Sequence, residues 1–243
     1  MNMLWVGTSG WAYKAWQPDF FPPKLPQKQF LRHYATQLNA VEVNYTFRRL
    51  LSENTIANWL AETPDTFRFV IKAHQSITHF HRLRNIDEPL LRFLSAIQPL
   101  AAARRLGPVL FQFPALFKAA PEALDSFLAM LPRSLRPALE FRDDSWFQDA
   151  VYQVLRRHRA ALCIAESAAL VTPEVITAEF VYFRYRKSDY QASERASIVT
   201  DLARISRQVE EIYAFFKHDE TPRSPQHALD VLGKLSLISQ KVS

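Results

Sequence analysis

The sequence predicts an α/β fold: one parallel, eight-stranded (β/α)8 barrel occupying residues 1–243 as a single domain. Three observations carry this reading. Eight short apolar runs recur along the chain, continuous rather than alternating, as strands buried on both faces of a parallel sheet must be. Stretches of helical periodicity separate nearly all of them. The length of 243 residues also matches the roughly 250 typical of such a barrel. A doubly wound open sheet is the competing architecture. It is disfavoured because Gly7, Gly10, Gly107 and Gly233, the only four glycines, form neither a G-x-G-x-x-G nor a Walker A pattern.

Strand one is Leu4–Thr8. The helix after it, Gln27–Leu38, sets Phe30, Leu31, Tyr34, Ala35 and Leu38 on one face. Strand two, Ala40–Asn44, precedes a helix opened by Ser52 and Thr55, whose stripe runs through Ile56, Trp59 and Leu60. Strand three, Phe67–Ala73, leads into a basic loop without acids, Ala73–Ile86, and then a long helix, Asp87–Arg105, with Pro89 placed for a first turn. Strand four, Pro108–Phe113, is followed by Ala123–Leu131, started by Pro121 and Glu122. Strand five, Pro137–Arg142, precedes Trp146–His158, which carries Val151, Val154 and Leu155. After strand six, Ala160–Ala165, the short stretch Ser167–Thr177 reads as a turn or partial helix. Strands seven and eight, Glu179–Tyr185 and Ile212–Phe216, are followed by helices Ser193–Val209 and Ser224–Leu237, each beginning on a Ser that can cap it. Irregularity is expected around strands six to eight.

With 48% hydrophobic and 22% charged residues, the chain is not of the disordered class. One cysteine, Cys163, cannot form an internal disulfide and points to a reducing compartment. No signal peptide and no apolar run approaching the roughly 18 residues of a membrane span is visible, so a cytoplasmic protein without membrane association is expected. The net charge of +6 is local. Residues 66–120 hold Arg68, Lys72, Arg82, Arg84, Arg92, Arg104, Arg105 and Lys118 against only Asp87 and Glu88, and the remainder balances. A local anionic partner is therefore expected, against the plainer reading of a solvated basic surface.

In a (β/α)8 barrel, chemistry gathers at the carboxyl ends of the strands, which turns the strand ends into a candidate site. Glu42 and Glu140 are the acid/base candidates, since a carboxylate among apolar walls and nearby cations can be poised for proton transfer. The competing reading pairs them with Arg142, Lys72 or Arg184 as structural ion pairs. Lys72, Arg142 and Arg184 are candidates to hold an anion, Asn44 and Gln112 to orient it. The loop after strand three adds His74, His79 and His81, with His79 a substrate-binding candidate. Trp11 can stack on a planar ligand, or simply cover the barrel end as core. No nucleophile-elbow motif is present, a Schiff-base Lys72 is chemically conceivable but not singled out, and Cys163 reads as inert core. No cofactor is predicted. A divalent metal held by Glu42, Glu140, Glu166, Asp219 and one His is a minor alternative, opposed by the cations at the same strand ends.

Read in order, Gly7-Thr8-Ser9-Gly10-Trp11 with Tyr13, Val41 to Phe47, Phe67-Arg68-Phe69 through Lys72-Ala73, Ile77-Thr78-His79, Gly107 to Pro114, and Glu140-Phe141-Arg142 with Ser145-Trp146 form a recurring pattern. In these segments the chain resembles the YecE-like family, the domain of unknown function 72, whose members are TIM-barrel-like. The resemblance implies that fold and no established reaction. It marks Glu42, Asn44, Lys72, Gln112, Glu140 and Arg142 as matching the family's polar strand ends. The last third departs from the pattern: Arg186-Lys187 stands where the family has His-Gly, and Lys217-His218 where it has Asn-Asn. Glu166, Arg48 and Asp143 replace an Asp, a Tyr and a His. The functional expectation is binding of, or action on, a small phosphate- or carboxylate-bearing molecule. Nucleic-acid binding or processing and a non-catalytic ligand-binding module are the alternatives. The sequence does not specify substrate, reaction class or oligomeric state.

Overall fold

A computed structural model of the chain describes residues 3–166, 170–217 and 222–241. Eight strands form one closed barrel in chain order. They are β1 (Met3–Ser9), β2 (Ala40–Val43), β3 (Arg68–Lys72), β4 (Leu106–Gln112), β5 (Pro137–Glu140), β6 (Ala161–Ala165), β7 (Phe180–Tyr185) and β8 (Glu211–Phe216). Every neighbouring pair is parallel, and β8 closes onto β1 with Met3 opposite Glu211 and Thr8 opposite Phe216. All eight predicted strands are present, with ends shifted by two residues at most.

Among the described residues the helices are α1 (Phe30–Gln37), α2 (Glu53–Glu62), α3 (Asp87–Ala102), α4 (Pro121–Ala129), α5 (Asp149–Arg157), α6 (Ala192–Ile205) and α7 (Arg223–Lys241). Ser52 caps α2 as expected, its hydroxyl accepting from the Thr55 amide at 3.2 Å. Several helix starts differ from expectation. Gln27–Gln29 is a separate 3-10 turn and α1 opens at Phe30. Ser224 lies inside α7, which starts at Arg223, and its hydroxyl donates to the Lys217 carbonyl instead of capping the helix. Trp146 belongs to a separate single turn, Asp144–Trp146, capped by Asp143, and α5 opens only at Asp149. In α6 the cap is Gln191, reciprocating with Glu194, because that pair satisfies two free amides where Ser193 alone would satisfy one. The β6–β7 connection holds no helix among residues 170–179, and Glu166 there bridges to Val171. The sheet itself stays regular from β6 to β8, and the register shift falls instead between β3 and β4, at Phe69 and Ile71. No described helix is long and apolar enough to cross a membrane.

The core has two parts. Between sheet and helices lies an extended apolar cluster. Inside the barrel lies a smaller one, where the small side chains Ala40, Ala138, Ala161 and Ala165 make room for Trp5, Phe180, Tyr182, Tyr213 and Phe215. Gly7 is required where β1 meets β2: a Cβ there would sit 1.9 Å from the Ala40 carbonyl oxygen. At the amino ends of the strands Glu211 seals the barrel, accepting from Trp5 Nε1, Tyr213 Oη and Arg136 Nη1.

Candidate functional site

Side chains alternate along a strand, so the residue two beyond an inward-facing one also faces inward. Ala40, Val70, Leu110, Ala138 and Tyr182 belong to the interior cluster. Two residues further on stand Glu42, Lys72, Gln112, Glu140 and Arg184. The topmost interior layer of the barrel is therefore polar, and strand parity puts it there.

Arg184 is its centre. One terminal nitrogen donates to Glu42 Oε1 at 2.7 Å and the other to Glu140 Oε2 at 2.5 Å, so a single guanidinium from β7 joins β2 and β5 across the barrel. Glu42 is fully buried and saturated with donors. Ser9 Oγ reaches its Oε1 at 2.7 Å and Asn44 Nδ2 at 2.9 Å, while Tyr182 Oη reaches Oε2 at 2.6 Å. Glu140 adds a longer contact from Arg142 Nε at 3.3 Å.

Burial alone would raise both carboxyl pKa values, but Arg184 reverses the sign. Glu42 falls below the usual carboxylate range, and Glu140, also facing Arg142 and Arg186, falls to about 2. Both are ionised at neutral pH. Burial pushes Arg184 the other way, and the two carboxylates outweigh it and hold the guanidinium firmly charged. Lys72 is the exception in the layer. Its Nζ donates to the neutral Gln112 Oε1 at 2.7 Å and lies 4.3 Å from the centroid of the Phe47 ring, with no carboxylate in ion-pair reach among the described residues. Burial first, and then Arg184, bring its pKa down to about 8.

Above this layer opens a cavity of about 480 Å³. Among the described residues its walls carry six cationic side chains, Arg48, Lys72, Arg142, Arg184, Arg186 and Lys217, and no acidic one. Arg184 is spent on the carboxylates beneath, Arg142 has only the 3.3 Å contact with Glu140, and Arg186, Arg48 and Lys217 line the opening with no ion pair among the described residues. Asn44 Oδ1, Gln112 Nε2 and Arg184 Nε are buried there without a partner among the described residues, and buried polar atoms are rarely left so unless something else meets them.

Of the residues expected at the site, Glu42, Asn44, Lys72, Gln112, Glu140, Arg142 and Arg184 converge. Two stand apart. Trp11 packs edge-on against Trp59 with ring centroids 5.2 Å apart and is not among the cavity's lining residues. His79 sits on the one-turn π-helix Ser76–Phe80, its ring edge-on to Phe47, and is held towards neutrality by burial and then by Lys72, Arg142 and Arg82. The basic window 66–120 is not what makes the mouth basic, since only Lys72 of its cations lines the cavity. Arg105 is buried against Thr63 and the Phe67 carbonyl, Arg92 pairs with Glu88, and Lys118 pairs with Asp143.

Four contributors were not singled out for the site by sequence reasoning: Arg48, Arg186, Lys217 and Tyr182. Parity identifies Tyr182, two residues before Arg184 on one face. The metal arrangement finds no support in the contacts, since Glu42 and Glu140 both close on Arg184 and Glu166 accepts from Tyr190 Oη. Among the described residues no group of three His, Cys, Asp or Glu could hold an ion. His218 and Asp219 lie outside the described residues. Cys163 is buried inside the barrel, where burial raises its thiol pKa well above the ordinary value.

Comparison with known proteins agrees with the fold. Residues 5–242 match the family model described as "Protein of unknown function DUF72". The chain is 29% identical over 158 residues to the UPF0759 protein YunF of Bacillus subtilis, covering 62% of this chain and 55% of YunF. It is 32% identical over 147 residues to the UPF0759 protein YecE of Escherichia coli K12, covering 60% and 50%. The chain thus spans about half the length of the curated relatives it matches. A crystal structure of a DUF72 family protein from Thermotoga maritima superposes with a TM-score of 0.84 at 28% identity, covering 97% of this chain and 100% of that one.

Proposed function

Starting from a chain that belongs to the DUF72 family, whose description names no reaction, we propose that the barrel mouth binds and acts on a small anionic molecule bearing a phosphate or carboxylate group. The observation that carries this is the wall of six cations with no acid among its described residues. Such a wall repels itself unless an anion enters, and guanidinium groups match phosphate and carboxylate oxygens in pairs. Arg142, Arg186, Lys217 and Arg48 are the binding groups in this reading, and Asn44 Oδ1 accepts a hydrogen bond from the ligand. A cytoplasmic setting fits the single buried thiol.

The reading assigns Glu42 and Glu140 a positioning role more readily than the acid/base role considered from sequence. Glu140, with a pKa of about 2, and Glu42, held below the usual carboxylate range, have no proton to give at neutral pH and are weak bases. What the pair does is fix Arg184 and, through its field, the charges around it. Lys72 is then the group in the layer that titrates near neutrality.

Calorimetric titration with inorganic phosphate tests the proposal. Binding is expected, weakened about tenfold or more by Arg142→Met and by Arg186→Met, the loss of one charge-assisted contact each. No heat with phosphate or with a dicarboxylate such as oxalate, or variants that bind as well as the parent, would count against it. A second reading, a nucleic-acid strand, draws on Tyr45 and Phe80, which are 44% and 70% exposed on the loops after β2 and β3. It requires binding of a labelled oligonucleotide that falls steeply with salt.

A further inference from the structure

We infer that Lys72 is a covalent residue of this site, adding its amine to the carbonyl group of an anionic aldehyde or ketone to form an imine. The inference rests on the anion reading above and names its substrate class.

An imine-forming lysine needs a free amine, access to the ligand, a water-poor surrounding and a charged anchor that fixes the carbonyl beside it. Lys72 meets each requirement. It ends β3 on the inward face and lines the cavity. Its hydrogen bond goes to an uncharged amide oxygen, Gln112 Oε1, at 2.7 Å, and none of the structure's ion pairs among the described residues uses it. The Phe47 ring covers one side at 4.3 Å. The charged groups facing it are Arg184 from β7, Arg142 from the end of β5, and Glu42 and Glu140, both of which are bonded to Arg184. With a pKa of about 8, about a tenth of the amine is neutral at pH 7, about two hundred times the share for an ordinary lysine. Lys217 lines the same cavity, and among the described residues its amine has no such hydrogen bond or ring contact.

The step balances without a co-reactant. The neutral amine's lone pair bonds to the carbonyl carbon, and the C=O π pair moves to oxygen. One amine proton and one proton returned by solvent, equal to the one the ammonium gave up on becoming neutral, leave with that oxygen as water, and the nitrogen keeps one proton as the protonated imine. Arg142 and Arg186 are within the same wall to hold the substrate's phosphate or carboxylate, and the positive field that opposes an ammonium at Lys72 also favours the loss of its proton.

The experiment uses pyridoxal 5′-phosphate as a coloured anionic aldehyde, with pyridoxal as its phosphate-free counterpart, each trapped on the full chain by cyanoborohydride and located by peptide mass mapping. A dominant adduct at Lys72 is expected, at least about tenfold above exposed Lys14 at pH 7. Inorganic phosphate should suppress it, pyridoxal should give less of it, and Lys72→Arg, checked for folding by circular dichroism, should lack it. The mapping on the unaltered chain stands by itself if that variant does not fold. Adduct spread over surface lysines or placed on Lys217, while calorimetry still shows phosphate bound, overturns the covalent role and leaves anion binding intact. Labelling of Lys72 that phosphate does not slow, with no phosphate bound in calorimetry, shows a reactive amine without an anion site and overturns the inference as stated. Neither binding nor adduct removes both.

Discussion

Arg184 holds two buried carboxylates at once, and its removal exposes what each of them costs. Arg184→Met leaves Glu42 and Glu140 ionised in the barrel without their main partner. Breaking a buried ion pair from one side costs about 3–5 kcal/mol, so the urea midpoint of this variant should fall sharply. Adding Glu140→Gln to Arg184→Met should restore part of the loss, because one stranded charge is gone. The pair also sets the acid limb of stability. Glu140 titrates in the folded state at about 2, below its unfolded value, so its contribution is whole above the ordinary carboxylate range and drains away as pH falls through that range towards 2. Unfolding measured between pH 6 and pH 2 should show a steeper loss in the parent than in Glu140→Gln. At Lys72 the sign is opposite. A lysine whose folded pKa is about 8 penalises the fold when charged, and that penalty is relieved as pH rises from about 8 towards its unfolded value. The stability difference between the parent and Lys72→Met should therefore shift in the parent's favour over that interval.

At the scale of the strand, the site follows from a period of two. Gly7 and Ser9, Ala40 and Glu42, Val70 and Lys72, Leu110 and Gln112, Ala138 and Glu140, Tyr182 and Arg184 are each an interior residue and the polar one above it. This much is legible in the sequence once the strand ends are placed, and five of the nine expected site residues converge for that reason, while Asn44 and Arg142 follow just past the ends of β2 and β5. Trp11 and His79 were read from loops, where no such period operates. Trp11 turns to Trp59, and His79 is carried by an irregular helical turn followed by left-handed Arg82, Leu83 and Asn85, with φ of 46°, 67° and 49°. The pairing of β1 with β2 depends on Gly7 in the same way that the site depends on parity. Gly7→Ala would force a methyl group against the Ala40 carbonyl, and the expected result is loss of the cooperative thermal transition or a large drop in its midpoint. A midpoint unchanged from the parent would mean that β1 can move away from β2 without loss.

Across the whole molecule, charge counted along the sequence and charge gathered in space are different quantities. Of the basic window 66–120 only Lys72 reaches the mouth, while Arg68 and Arg104 stand at the amino-terminal end of the barrel and Arg105 is buried; the mouth collects its cations from β2, β3, β5, β7 and β8 ends that are far apart in the chain. Linear counting could not have found Arg48, Arg186 and Lys217 together. Closure brings them together, and self-repulsion among them makes the empty mouth a source of instability. Phosphate should therefore raise the thermal midpoint more than sodium chloride at the same ionic strength, by a mass-action gain of about 2.7 kcal/mol when phosphate is a hundredfold above its dissociation constant. Equal shifts from the two salts would reduce the effect to screening. The barrel's last seam has a further consequence for how the chain comes into being. Met3 lies beside Glu211 and Thr8 beside Phe216, so β1, which leaves the ribosome well before β8, waits for it before its second edge is covered. Until then that edge is an open template for a neighbouring chain. Closing a loop of some two hundred residues places barrel completion late in folding, which makes this a protein whose early fragments depend on shielding until β8 arrives.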